Sequence, residues 1–220
     1  IAAAESINTV GQAIFVEGQV ERLLLPMMIE EQAKVAGCET LGSQYVSISE
    51  VGGGHAHKFK PIIDFLGIPS LIITDLDSVD DGGKKCPVAT GKSTSNACLR
   101  KWIPEKETVE ELQACDNAAK TQGCIRVAYQ VTQDGHCGRS FEEAFIYANI
   151  TWLTDNHAKL STTKAAVKKA IDAGLTAQAW ELSGKLGKVD FALDLMGAPG
   201  WEIPLYIQQG LQWLAEHPAK

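Results

Sequence analysis

Apolar and polar positions alternate in blocks along the first third of the chain. "QAIFV" is a short apolar run with β-branched and aromatic residues, and predicts a buried strand over 12–16. "QVERLLLPMMIEEQAKVAG" has helical periodicity and predicts a helix closing near Gly37, with Pro26 in its early part. "SQYVSISEV" alternates and predicts a strand at about 44–50. "GGGHAHKFKPIIDFLG" predicts a glycine turn and a helix ending near Gly67, and "IPSLIITDLD" a buried strand that ends on acids. This β-α-β-α-β order implies right-handed crossovers and a parallel sheet covered on both faces.

Beyond it, 78–95 is rich in turn residues and predicts an exposed loop. "TVEELQACDNAAKTQG" predicts a helix, with Thr108 and Glu111 spaced as a capping box. "CIRVAYQV" predicts a fourth strand, and "SFEEAFIYANI" a helix with Ser140 at its N-cap. From about 155 onward the pattern is helical: "TTKAAVKKAIDAGLTAQAWELSG", "KVDFALDLMG" and "PLYIQQGLQWLAEH". The fold class expected is α/β, with residues 1–150 and 185–220 as the core and 80–121 and 151–184 as accessory helical elements.

Parallel α/β sheets gather ligands at the carboxyl ends of their strands. Glu17 follows the first strand, Gly52–Gly54 the second, and Asp75 and Asp77 the third. Glu21 lies one helical turn past Glu17, on the same side. In an extended chain Asp75 and Asp77 point the same way and repel. A hard divalent cation relieves that repulsion and prefers oxygen ligands. Glu17, Glu21, Asp75 and Asp77 together supply enough acids for two cations. The glycines let the backbone approach a phosphate or another loop closely.

Bulk properties narrow the field. The chain has 220 residues, 45% apolar and 21% charged, as in a globular domain with a sizeable core. Its net charge of −7 argues against a broad nucleic-acid-coating surface, but not against an enzyme whose carboxylates bind cations. No apolar run approaches the ~18 residues of a membrane span, and no signal peptide is visible. Six cysteines without a C-x-x-C pair then read as free thiols in a reducing cytoplasm, and His136-Cys137 lacks a second pair for zinc. The start at Ile1, without Met, is compatible with a piece of a longer protein.

"IFVEGQVERLLLP", "VGGG" and "LIITDLD" together resemble the Toprim signature, in which a glutamate follows the first strand and a D-x-D the third. The second acid one turn after the glutamate makes the pattern similar to the OLD (overcoming lysogenization defect) family of nucleases. That resemblance implies a later S-x-E, matched by Ser140 and Glu142 in "GRSFEEAF", and a late lysine, matched by Lys188 in "GKVDFALD". It implies a metal-dependent DNA endonuclease using two Mg²⁺ or Mn²⁺ ions. Glu17, Asp75, Asp77 and Lys188 would be catalytic, and Glu17, Glu21, Asp75, Asp77, Ser140 and Glu142 would hold the metals. The partners implied are DNA, an upstream ABC-type ATPase domain and, as one arrangement, a second copy of the chain; a membrane is not among them.

Glu142 is preferred over its neighbour Glu143 for its spacing to Ser140, since the two lie ~100° apart on a helix. Lys84, Lys85, Lys92, Arg100 and Lys101 form the densest basic stretch and are the candidates for holding a DNA backbone. His55 and His57 read as surface residues at a helix start. "ATGKSTS" is not a phosphate-binding loop, because Cys86 stands where the first glycine is required. Another Toprim activity, such as a primase, and a non-enzymatic receiver or metal-binding module are the alternatives. A receiver would carry its acidic pair after strand one, the reverse of the order here.

Overall fold

A computed structural model describes residues 11–52 and 54–218. Gly53, the middle of the three glycines, lies outside the described residues, as do residues 1–10 of the expected core and the last two positions.

Strand β1 (Gln12–Val16) lies between β2 (Val46–Glu50) and β3 (Ser70–Ile73), parallel to both. Strand β7 (Ile125–Ala128) continues the parallel sheet beside β3, and β6 (Thr121–Gln122) closes that edge antiparallel, giving the order β2-β1-β3-β7-β6. Every residue of β3 and β7 is buried, as a parallel sheet covered on both faces requires.

Two apolar cores follow from the strand alternation, one per face. Ile14, Val16, Leu71 and Ile73 belong to the larger core. It is built with α1 (Gln19–Gln32), α5 (Phe141–Ala148), α7 (Lys164–Asp172), α8 (Leu175–Lys185), α9 (Lys188–Gly197) and α10 (Leu205–Glu216). Ile72, Ile125 and Val127 belong to the other, with α2 (Lys60–Leu66), α3 (Ala97–Lys101) and α4 (Val109–Ala114). The short α6 (Ile150–Asn156) links α5 to α7. Pro26 sits inside α1 on its exposed side, where water can serve the carbonyl that loses its amide partner.

Three stretches depart from the sequence expectation. Residues 78–95 are not a plain exposed loop: β4 (Ser78–Val79) pairs antiparallel with β5 (Ser93–Thr94), and Val88 is buried. That ladder is too short to show a period, and side-chain bonds hold it: Ser78 Oγ donates to Cys86 O (2.6 Å) and Thr94 Oγ1 to Leu76 O (2.6 Å). The helix expected after Thr108 has its capping box but ends at Ala114. Asp116 then accepts from Ala119 N (2.8 Å), a local bond that competes with helix. The helical run from 162 is split at Gly174, which adopts φ +91 between α7 and α8. Where the excluded phosphate loop would have opened a helix, the chain enters β5. No helix among the described residues is long and apolar enough to cross a membrane.

Candidate metal centre

The strand register carries the acids to one edge of the sheet. Val16 pairs with Ile73 and Ile73 with Ala128, so Glu17, Thr74–Asp75 and Tyr129–Gln130 emerge together. Glu17 Oε2 accepts from Thr74 Oγ1 (2.8 Å) and Asp75 N (3.0 Å), binding the ends of β1 and β3 to each other. Asn96 reinforces the turn, donating from Nδ2 to Thr74 Oγ1 and to Asp75 O, both at 2.7 Å, while its Oδ1 caps α3.

Asp75 is buried and its Oδ1 is fixed from two sides. Gln130 Nε2 donates to it (2.7 Å), and so does Phe141 N (3.0 Å), the first amide of α5. A carboxylate from β3 thus sits at the amino end of α5, where the helix dipole favours negative charge. Gln130 also accepts from Leu76 N (2.6 Å), which locks its own amide. Asp75 Oδ2 accepts no hydrogen bond among the described residues.

The same helix start presents Glu142. Ser140 holds the N-cap position without capping: its hydroxyl donates to Glu142 Oε2 (2.8 Å) instead. Glu143 turns away, accepting from Arg139 N (2.7 Å) and Tyr147 Oη (3.2 Å). Gly138 allows this tight entry: a Cβ there would overlap Ala144 N and lie 2.8 Å from Ala144 Cα. Glu142 Oε1 is buried and receives no hydrogen bond among the described residues. Lys188 Nζ lies 3.0 Å from it, a charge contact too oblique to count as one. Lys188 opens α9, against the helix dipole, so its placement answers to the acids rather than to its own helix.

Glu17, Glu21, Asp75 and Lys188 line one cavity of about 270 Å³. Glu17, Asp75, Asp77, Ser140, Glu142 and Lys188 line an adjoining one of about 740 Å³, which also takes in Lys85 and Arg139. Burial pushes Glu21 from 4.5 to about 7, and repulsion from Glu142 and Glu17 adds to it against the pull of a backbone hydrogen bond and of Lys188. Burial, then Glu21, Glu17, Glu142 and Asp77, holds Asp75 well above the ordinary carboxylate range. Burial opposes the charge of Lys188, but Glu142, Asp75 and Glu21 prevail and raise it above 10.5.

Asp77 reaches this site by another route than strand alternation. The strand ends at Ile73, and Asp77 has φ +54, so it does not stand beside Asp75 as i and i+2 of an extended chain. Its carboxylate pairs with Arg139, whose carbonyl accepts from Asp77 N and whose Nε donates to Ser78 O (3.0 Å).

Of the five basic candidates only Lys85 lines the cavity. Lys84, Lys92, Arg100 and Lys101 are exposed elsewhere, Arg100 facing Glu107 at 3.6 Å. Gly54 approaches another loop: a Cβ on it would come within 2.9 Å of Asn96 Oδ1. His55 and His57 bond back to the carbonyls of Gly52 and Gly54.

Gln130, Arg139 and Asn96 escaped the sequence reading. Only Gln130 carried a usable signal, its place just past the fourth parallel strand in register with Asp75.

The donors fit a divalent cation in kind: hard carboxylate oxygens, one of them buried and met only by the oblique charge of Lys188, in a site where four carboxylates face that one lysine. As the side chains stand, no three Asp, Glu, His or Cys groups among the described residues close around a single ion.

Residues 11–77 match the family described as "Overcoming lysogenization defect protein-like, TOPRIM domain". Endonuclease GajA of Bacillus cereus (strain HuB5-5) is 30% identical over 228 aligned positions, covering 92% of this chain and 31% of the relative. The chain therefore spans about a third of that protein's length. No solved structure matches the chain significantly. The parallel sheet, the glutamate after β1, the D-x-D after β3 and the family match converge: the fold is α/β of Toprim type, and residues 11–77 are similar to the Toprim domain of overcoming lysogenization defect protein-like proteins.

Proposed function

We propose that this chain is the catalytic region of a divalent-metal-dependent DNA endonuclease, acting in a protein that also carries an ABC-type ATPase domain. The observation that carries the reading is the convergence of Glu17, Glu21, Asp75 and Glu142, from separate elements, on joined cavities where burial and mutual repulsion hold Glu21 and Asp75 above the ordinary carboxylate range. The relative named an endonuclease covers 92% of the chain, and so includes these positions' neighbourhood rather than a remote domain.

Two Mg²⁺ or Mn²⁺ ions held by Glu17, Glu21, Asp75, Asp77, Ser140 and Glu142 would supply an activated water and neutralise charge on the leaving oxygen. Asp75 presents Oδ2 while Gln130 and the first amide of α5 keep its other oxygen still. Such outer partners fix a ligand's orientation before substrate arrives. Ser140 orients Glu142 in the same manner. Lys188 keeps its proton at working pH and is placed to meet charge that develops on the phosphoryl oxygens. Lys85 stands at the rim of the larger cavity, where a backbone phosphate would enter.

The test is cleavage of supercoiled plasmid with Mg²⁺ or Mn²⁺. Nicking and linearisation should occur and should be lost in Asp75→Ala. Absence of cleavage by the intact protein with every divalent cation tried would refute the proposal.

A further inference from the structure

Trp180 has no structural partner of the kind the other tryptophans have. Trp102 donates to Gln122 Oε1 (3.2 Å), and Trp201 donates to Leu195 O (3.1 Å) and packs on Phe145. Trp213 stacks on His217 with centroids 4.6 Å apart, and Trp152 packs against the larger core. Trp180 belongs to neither core, stacks on no ring and donates its Nε1–H to nothing among the described residues.

Its helix explains why. In α8, Leu175, Ala179 and Leu182 make the buried stripe at i, i+4 and i+7. Trp180 falls one residue, ~100°, around from Ala179 and leaves that stripe. It is half-buried as a wall of the 740 Å³ cavity, whose floor holds Asp75 and Glu142 and whose rim holds Lys85 and Lys185. Lys185 is partly neutralised by Glu181 at 3.0 Å, whereas Lys85 has no ion pair among the described residues.

A large ring outside both cores, beside the unpaired Lys85 and the floor where cleavage is proposed, is the combination that binds unpaired nucleic-acid strands: cations follow the backbone while aromatic faces stack bases. We infer that Trp180 is a nucleobase-stacking subsite that holds an unpaired base of the substrate strand next to the scissile phosphate. This rests on the nuclease reading and adds to it a preference: the strand entering the site is single-stranded or locally unstacked. The indole is a positioning residue, since it acts on the bond through the base it holds.

The experiment uses the intact protein in chelator and a short oligothymidylate. Binding should quench tryptophan emission, and Trp180→Ala should abolish most of that quenching and weaken affinity roughly five- to hundred-fold. Trp180→Phe should retain most of the affinity. Trp180→Leu, which keeps bulk without a π face, should lose it; the Leu variant also decides the matter if the Ala variant fails to fold. Replacing thymidine at the cut by an abasic position should erase the difference between wild type and Trp180→Leu in kcat/KM. Wild-type affinity and quenching in Trp180→Leu would overturn the inference. Plasmid nicking by a wild-type protein that does not bind the oligonucleotide would overturn the inference alone. Absence of plasmid nicking by wild type would overturn the nuclease reading instead.

Discussion

Replacing Glu21 by Gln should stabilise the metal-free protein while impairing catalysis. Glu21 is 7% exposed and titrates at about 7 in the folded state against 4.5 ordinarily. A folded-state value above the unfolded one means that the native protein binds the extra proton. The stability this represents is complete below pH 4.5 and is lost as pH rises through 7. A rise of about 2.5 pH units, at ~1.4 kcal/mol each, amounts to about 3 kcal/mol. Asp75, raised by the same burial, adds in the same direction. Urea unfolding followed by tryptophan fluorescence in EDTA should therefore show the wild type losing about 3 kcal/mol or more between pH 5 and pH 8. Glu21→Gln resembles the protonated acid, so it should match wild type at pH 5. It should exceed it by up to about 3 kcal/mol at pH 8, some 6–12 °C in melting temperature. Mg²⁺ at pH 8 should restore wild type far more than the variant. The reasoning is refuted if Glu21→Gln in chelator is no more stable than wild type at pH 8, or if its stability falls with pH as steeply.

Three further outcomes follow from the same geometry. Gln130→Ala removes one of two donors that fix Asp75 Oδ1, and should weaken Mn²⁺ affinity by roughly 10- to 100-fold in calorimetric titration while the fold persists. Gly138→Ala forces a Cβ onto the backbone of Ala144; it should displace the start of α5 and destabilise the protein by about 1–3 kcal/mol, read as a lower urea midpoint. Asp194 accepts from Ser161 N, Thr162 N, Thr163 N and Thr163 Oγ1, which together outweigh burial and keep it ionised below its ordinary range. Asp194→Ala leaves those donors unserved ahead of α7 and should cost about 2–4 kcal/mol by urea unfolding, with plasmid nicking per folded molecule unchanged.

The parallel sheet and the acids after β1 and β3 were legible because strands buried on both faces read as plain apolar runs, and a parallel sheet sends their ends to one edge. Leu71, Ile72 and Ile73 announce themselves in this way. The pair β4 and β5 did not, since two-residue strands have no period and their order comes from the hydroxyls of Ser78 and Thr94. The orientation of Asp77 was equally hidden: it depends on a backbone turn at φ +54 and on Arg139, 62 positions later. Ser140 illustrates a local rule overridden, as a good capping residue whose hydroxyl is drawn to Glu142 instead. Trp180 left no trace, because a core tryptophan and a ligand-facing one look alike in a helical pattern.

Whether these oxygens form a cation site is decided by a crystal structure of the protein soaked in Mn²⁺ and read by anomalous scattering. Manganese peaks should lie within coordinating distance of Asp75 Oδ2 and the carboxylates of Glu17, Glu21 and Glu142, with Asp77 drawn from Arg139 toward the metal. Saturating Mn²⁺ with no peak in the joined cavities, and Asp75 still held only by Gln130 and Phe141, would contradict a cation site there.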